Sequence, residues 1–425
     1  MKKIRFLDYI YLSVYWFALS YLWNSMGPII LPNLIAPPMV DEAIKGSALG
    51  LLSAAGLIIA IIVQPIAGYI SDRSTSRFGR RRPYLLVGTL FDLIFLLGIA
   101  LSTKYWFLFL SYILLQVSSN VAHGPYQGLI PDLVPEERRG TASGVKQFAE
   151  IVGIIVTSLA TAALMGRGQT LLAIGVIMAV LTITMLTTVI GVCEEPLRDA
   201  PKQSLRETVL ETFRVDAHQY PDYFWLLLSR LFVVMGMNLV RNYVLYFVAD
   251  VVIGPEVTYA ERLAQANTLS GSLLAIIAVA IALTALPTGV LSDRLGKKLL
   301  VLISSILGAI GAFLMVFANG RTLFTLGGFP LMDILIFGSL IGLSAGIFLS
   351  ANWALATDLI PKEEGGRYLG ISNLATAGAG VLAGLGGPIR DFLGYTALFL
   401  SACLCYIIGT VLLTKVHEQR NMPSP

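Results

Sequence analysis

Runs of roughly 20 mostly apolar residues, the length that crosses a lipid hydrocarbon layer as a helix, recur along this chain with short polar interruptions. They fall at 8–35, 47–70, 84–102, 106–130, 141–165, 170–193, 223–250, 266–290, 298–318, 332–357, 367–387 and 393–415. The pattern predicts an all-α polytopic membrane protein with twelve transmembrane helices. The first run, in "MKKIRFLDYIYLSVYWFALSYLW", is long and bulky and lacks a small-residue cleavage site, so it reads as a spanning helix rather than a removable signal. One long hydrophilic stretch, "EEPLRDAPKQSLRETVLETFRVDAHQYPDY", separates the sixth and seventh runs. Within it Leu205, Val209, Leu210 and Phe213 recur at helical spacing, which predicts an amphipathic helix on the membrane surface. The expected organisation is an N-terminal six-helix bundle over 1–195, a linker over 196–222 and a C-terminal six-helix bundle over 223–425.

Composition agrees with the pattern. The chain is 56% hydrophobic and 13% charged, where a soluble domain carries about a quarter charged residues. A net charge of +4 gives no reason to expect a nucleic-acid partner. The informative quantity is where the 30 lysines and arginines sit. Most fall on one side if both termini are cytoplasmic, so the positive-inside bias places both ends and the "SRFGRRR" loop in the cytoplasm of a cell (plasma or inner) membrane. The cysteines, Cys193, Cys403 and Cys405, lie in or beside apolar runs, with neither a disulfide framework nor metal-ligand spacing. No metal or other cofactor is expected. Without a nucleotide-binding loop or a nucleophile constellation, neither an enzyme nor an ATP-driven pump is expected. The lipid bilayer and a small-molecule substrate are the expected partners, and a monomer the expected state.

The two halves repeat. "GYISDR" (68–73) follows the second run and "GVLSDR" (289–294) follows the eighth; "PDLVPEERRG" (131–140) follows the fourth and "TDLIPKEEGG" (357–366) the tenth. Both motifs recur at nearly one offset, about 220 residues, which predicts two pseudo-symmetric halves of six helices each. Asp72 ends a helix, where its carboxylate can accept from a facing helix N-terminus. The loop arginines can pair with Asp132, Glu136 and Glu137, and Asp293 and Arg294 with Asp358, Glu363 and Glu364. A half-exposed pair contributes about 0–1 kcal/mol, so several together can bias a two-state equilibrium without locking it. This set is expected to form a conformational latch.

These motifs resemble those of the major facilitator superfamily: Gly68, Asp72, Arg73, Gly79, Arg80 and Arg81 in the first half, and Gly289, Asp293, Arg294, Gly296, Lys297 and Lys298 in the second. The first copy carries five residues, "STSRF", between Arg and Gly. "VQPIAGYISDRSTSRFGRRRP" and "SSNVAHGPYQGLIPDL" (118–133) are similar to the sucrose-transporter branch of the glycoside–pentoside–hexuronide cation symporters. The resemblance implies a secondary transporter working by alternating access around a midplane site, with sugar symport as its activity. Gln116 and Gln127 stand where the plant carriers' pattern has an aspartate and an arginine, and the clustered aspartates of a melibiose-type sodium site are missing. The plant proton-coupling arrangement therefore does not carry over intact; protons remain the expected coupling ion, with their carrier elsewhere.

Ionisable groups within spans are costly and mark candidate sites. Glu150 lies some ten residues into the fifth run, about 15 Å deep, with Lys146 one turn before it. It is the first candidate for the proton carrier. Asp92 is similarly deep in the third run and is the second candidate, although the resemblance makes that helix peripheral and a structural hydrogen bond the simpler role. Arg241, flanked by Asn238 and Asn242, lies in the seventh run, which lines the cavity in this superfamily. Arg230 is nearer the cytoplasmic end and is expected to snorkel or pair there; Asp250 and Asp333, at outer ends, are expected to be solvated. In the fourth run Asn120, His123 and Gln127 follow one another by about a turn, and His123 precedes Gly124-Pro125, which should kink the helix. Trp23 and Asn24, with Asn352 and Trp353, add aromatic faces and amides, the chemistry that holds a neutral sugar. A non-symport transporter (exporter or uniporter of another polar or amphiphilic metabolite) and a non-transporting membrane sensor or assembly factor are the alternatives.

Overall fold

The computed structural model describes residues 5–194, 219–360 and 365–417. Each of the twelve predicted runs falls largely on helix. The helices of the first half are α1 (Phe6–Ser25), extended by a π-turn at Met26–Ile30 and α2 (Leu31–Ile35), then α3 (Lys45–Asp72), α4 (Arg82–Ala100), α5 (Tyr105–Gln127) with the short α6 (Leu129–Leu133), α7 (Arg139–Gly166) and α8 (Thr170–Gly191). Those of the second are α9 (Pro221–Phe247), extended by a π-turn at Val248–Ile253, α10 (Tyr259–Leu295), α11 (Lys297–Leu314), α12 (Asp333–Asp358), α13 (Gly365–Ala383) and α14 (Gly386–Thr414). Among the described residues, ten helices are long and apolar enough to cross a membrane. The other two predicted spans are α1, rich in Tyr, Trp and Ser, and α13, rich in Gly and Ala. The amphipathic helix expected over 205–213 lies outside the described residues.

One sequence expectation about boundaries is corrected. The eighth span starts at Tyr259 rather than 266, because a capping box nucleates it within polar sequence: Thr258 accepts from the Glu261 N–H, and the Glu261 carboxylate accepts from the Thr258 N–H at 3.0 Å. The segment before α12, for which no element was expected from the sequence, is a β-hairpin, β1 (Thr322–Leu326) and β2 (Phe329–Met332). Gly327 and Gly328, both at positive φ (56° and 84°), supply its two-residue turn.

The chain divides into two compact units, Met1–Glu42 with Ala55–Leu210, and Ala43–Ala54 with Glu211–Pro425. The first turns of α3 thus group with the second unit, a division the sequence did not anticipate. Inside each unit the same packing scheme recurs. In the first, α1 packs on α7 and α8, and α4 on α5 and α8. In the second, α9 packs on α13 and α14, and α11 on α12 and α14. These are corresponding helices of the two halves, so the repeated motifs are accompanied by repeated packing.

Lipid tails are as apolar as leucine, so burying leucine cannot by itself bring spanning helices together. Large apolar residues accordingly face outward, as Leu299, Ile303, Ile306, Ile310 and Phe313 do along one stripe of α11. Small and hydroxylated residues sit between helices. The Ser25 hydroxyl bonds those of Thr157 and Thr161 (3.0 and 2.9 Å), and the Tyr126 hydroxyl donates to the Leu12 carbonyl at 2.7 Å. Between α4 and α5 the contact is tight at Gly88, where a Cβ would stand 2.7 Å from both the Ala122 nitrogen and the Ser118 oxygen. Backbone cannot yield as a side-chain tip can. Gly88→Ala should therefore destabilise the protein by about 1–3 kcal/mol. At Gly175 a Cβ would meet nothing within 4 Å, so Gly175→Ala should be neutral; thermal unfolding in lipid nanodiscs compares the two.

Asp250 and Asp333, expected to be solvated, are both engaged. Asp333 is 4% exposed and accepts the N–H groups of Asn319 and Gly320, each at 3.0 Å, which closes the hairpin onto α12. Asp250 accepts from Lys45 at 2.8 Å, Arg390 at 2.5 Å and the Tyr395 hydroxyl at 2.5 Å. Lys45 is wholly buried, and the neighbouring Ser47 N–H donates to Asp391 at 2.6 Å. These bonds, all within the second unit, explain why the start of α3 groups there.

Candidate functional site

The charged loop of the first unit is built around Arg81. It enters a loop whose Gly79 has φ 98°, a left-handed conformation that glycine takes without Cβ strain. The duplicate, Gly296, has φ 95°, so this glycine of each copy serves one backbone need. Arg81 is 7% exposed, with its Nη2 2.6 Å from Asp72 and its Nε 3.0 Å from Asp132. Arg80 reaches the other oxygen of Asp132 at 2.5 Å. Gly128 makes room, since a Cβ there would stand 2.5 Å from the guanidinium carbon of Arg81. Arg73 lies over the Tyr69 ring at 3.5 Å. At Gly68 and Gly289 a Cβ would meet nothing within 4 Å, so neighbouring bulk gives no reason for glycine at either.

Among the described residues Asp72 caps no facing helix, although the sequence suggested that it could. The N-terminus of α4 takes Glu194 instead, whose carboxylate accepts the N–H groups of Arg81 (3.0 Å) and Arg82 (2.9 Å). Burial pushes the Glu194 carboxyl above its ordinary value, outweighing these bonds and the nearby Arg81. No repeat or spacing pointed to Glu194, because its partner is backbone.

In the second unit Lys297 reaches Asp358 at 2.5 Å. Lys298 donates to the carbonyls of Thr414 and Val416 at 3.1 and 2.6 Å, the end of α14. Arg294 is exposed. The side chains of Glu136 and Asp293, and residues Glu363 and Glu364, lie outside what is described.

Deeper in the first unit, Glu150 is met by Lys146 at 3.4 Å, as the one-turn spacing predicts. The same ammonium lies 3.8 Å from the centre of the Trp16 ring. Trp16 in turn meets His123 edge-on, with ring centres 5.1 Å apart. His123 bonds Gln64 through Nδ1 (3.4 Å) and Gln127 through Nε2 (3.1 Å). Trp16 and Gln64, which the sequence reading did not single out, thus join Glu150, Lys146, His123 and Gln127 in one polar group. The signal that could have found them is chemical rather than positional: amide or indole groups in the middle of apolar runs.

The remaining candidates of the first unit make other contacts. Asn120 is 5% exposed and donates to the Gln116 carbonyl of its own helix at 2.8 Å. Asn24 likewise donates to the Ser20 carbonyl at 2.7 Å, while the Ser20 hydroxyl donates to the Glu150 carbonyl, also at 2.7 Å. Trp23 meets Tyr112 edge-on at 6.5 Å. Asp92 is fully buried and accepts from the Ser118 hydroxyl at 2.5 Å, a bond that ties α4 to α5.

In the second unit Arg230, expected to snorkel or pair, does the second: it is buried, 5% exposed. Its Nη1 donates to Asn352 Oδ1 at 2.6 Å and its Nε to the Thr376 hydroxyl at 2.9 Å. Trp353, 37% exposed, places its ring centre 5.8 Å from the guanidinium. Asn238, Arg241 and Asn242 are each partly exposed along α9.

A family model described as MFS/sugar transport protein matches residues 42–397. A sucrose transport protein of Arabidopsis thaliana is 27% identical over 135 residues, 27% of this chain and 23% of the relative. A lactose permease of Lactobacillus helveticus is 28% identical over 246 residues, 51% of this chain and 38% of the relative. The chain thus spans less than two-thirds of either curated relative in the alignment. In fold it is similar to the crystal structure of the nucleoside transporter NupG, with a TM-score of 0.73, 15% identity, and 97% and 100% of the two chains covered. With a match across most of its length and the same fold, the chain belongs to the MFS/sugar transport protein family.

Proposed function

We propose that this protein is a secondary active transporter that carries a sugar or glycoside in symport with protons, by alternating access, across a cell membrane with both chain ends in the cytoplasm. One observation carries the reading: a carboxylate within a span, Glu150, shares its lysine with the face of Trp16, beside an amide-flanked histidine. A proton site and a sugar-type surface thereby share a side chain. An aromatic face offers stacking for sugar C–H groups, and Gln64, Gln127 and His123 offer hydrogen bonds to hydroxyls. Glu150 is the proposed proton carrier; Asp92, sealed against Ser118, is proposed to hold α4 and α5 together. The arginine–carboxylate contacts around Asp72 and Asp132 are proposed to set the conformational balance. The names of the relatives, a sucrose transport protein and a lactose permease, support a sugar as cargo.

The test is uptake of labelled disaccharides into proteoliposomes, with and without an imposed pH gradient. Gradient-driven accumulation is expected. Uptake that ignores the gradient would remove proton symport, and no uptake of any sugar would remove the cargo class.

A further inference from the structure

Arg230 is a buried cation surrounded by neutral groups. Among the described residues no carboxylate stands within ion-pair distance of it, and its partners are an amide oxygen and a hydroxyl. A guanidinium does not discharge by losing its proton, so its burial calls for an anion or a polar cavity. The bond to Nη1 also fixes the orientation of Asn352, whose Oδ1 must face the guanidinium. That leaves the Asn352 Nδ2 on the other side, buried and without a partner among the described residues. The Nη2 of Arg230 makes no hydrogen bond among the described residues either. Among the described residues, two donor groups on neighbouring side chains therefore lack acceptors, and no carboxylate pairs with the guanidinium. Arg230 lies about 14 Å along α9 from its start at Pro221, within the span rather than at its edge. The partly exposed Trp353 ring beside the guanidinium offers an apolar face next to the charge.

We infer that Arg230 and Asn352 form a binding site for an oxyanion group, a carboxylate or phosphate, carried by the cargo or bound as a free anion. The planar guanidinium fork is shaped for such oxygens. The inference deepens the proposed transport function by giving the cargo or its co-ligand a negative charge.

The experiment uses the full chain in lipid nanodiscs, titrated with galacturonate, with galactose as its neutral counterpart, and with inorganic phosphate, and followed by thermal unfolding. Galacturonate or phosphate should raise the unfolding temperature at concentrations where galactose does not. A response to galacturonate alone assigns the anion to the cargo; a response to phosphate assigns a free anion. Arg230→Gln should weaken the response about tenfold or more, with Arg230→Lys retaining part of it. Asn352→Asp guards against a misfolded Arg230 variant, because it gives the buried arginine an internal counter-ion and should keep the fold while abolishing the response. If neither anion shifts the wild type, or if folded Asn352→Asp responds as the wild type does, the site is overturned. Sugar uptake by the same wild-type protein keeps the two readings apart. Uptake without any anion response removes only the anion site, and an anion response without uptake of any sugar removes only the sugar cargo of the proposed function.

Discussion

Glu150→Gln should reduce sugar accumulation in proteoliposomes to simple equilibration, while exchange of labelled for unlabelled sugar continues. A driving force of about 100 mV supplies about 2.3 kcal/mol per proton, which corresponds to about fiftyfold accumulation at about 1.4 kcal/mol per tenfold. The variant should lose all of it, because glutamine cannot carry the proton. Exchange needs no net proton movement and should survive. The fold should survive as well, since Lys146 keeps the Trp16 ring at 3.8 Å as a second partner and glutamine can still accept from it. Continued accumulation by Glu150→Gln would show that the proton is carried elsewhere. Loss of exchange together with accumulation would move Glu150 into the sugar-binding surface.

Asp132→Asn should be the most damaging single change in the charged loop. Asp132 uses both oxygens, one for Arg80 and one for Arg81, and Arg81 is a buried cation. Removing the carboxylate leaves that cation with Asp72, whose side chain is 45% exposed. Hydrogen bonds to charged groups contribute about 1.5–3 kcal/mol each, so a loss of about 2 kcal/mol or more is expected by thermal unfolding in nanodiscs. Asp72→Asn should cost about 0–1 kcal/mol, the range for a solvent-screened pair. Neither should change which sugars compete for uptake. Equal losses from the two variants would mean that Arg81 is held by something other than the shared carboxylate. A change in sugar preference would place the loop in the binding surface.

The contrast between these two carboxylates marks how far a sequence can be read. The repeated motifs pointed to Asp72 and Asp132 alike, since both recur in the second half. Only the fold shows that Asp132 bridges two arginines and Asp72 meets one. The logic of helix dipoles offered Asp72 as an acceptor for a facing helix N-terminus. The logic holds, but Glu194 supplies the carboxylate, from a position that no periodicity links to α4. Lys146–Glu150 was legible because one helical turn fixes it. Trp16 over the same lysine was not, because 130 residues separate them and only packing decides which ring lies there.

Arg230 and Asp250 show the same limit in reverse. Position near a helix end suggested solvent for Asp250 and either snorkelling or pairing for Arg230. Yet Arg230 is sealed by α12 and α13, and Asp250 by Lys45, Arg390 and Tyr395. Depth along one helix is a local quantity, whereas burial depends on what neighbouring helices place beside it.

The sequence by itself determined the helices, their repetition in two halves, and the glycines that the duplicated loop requires. Those follow from backbone hydrogen bonding in lipid, which leaves a spanning chain few choices, and from motif spacing along one chain. The tertiary structure alone decided which charges share partners, which carboxylate caps α4, and which arginine is left among neutral groups. Those are pairings between residues far apart in the chain. They depend on side-chain packing across helices, for which the linear order of residues carries no period to read.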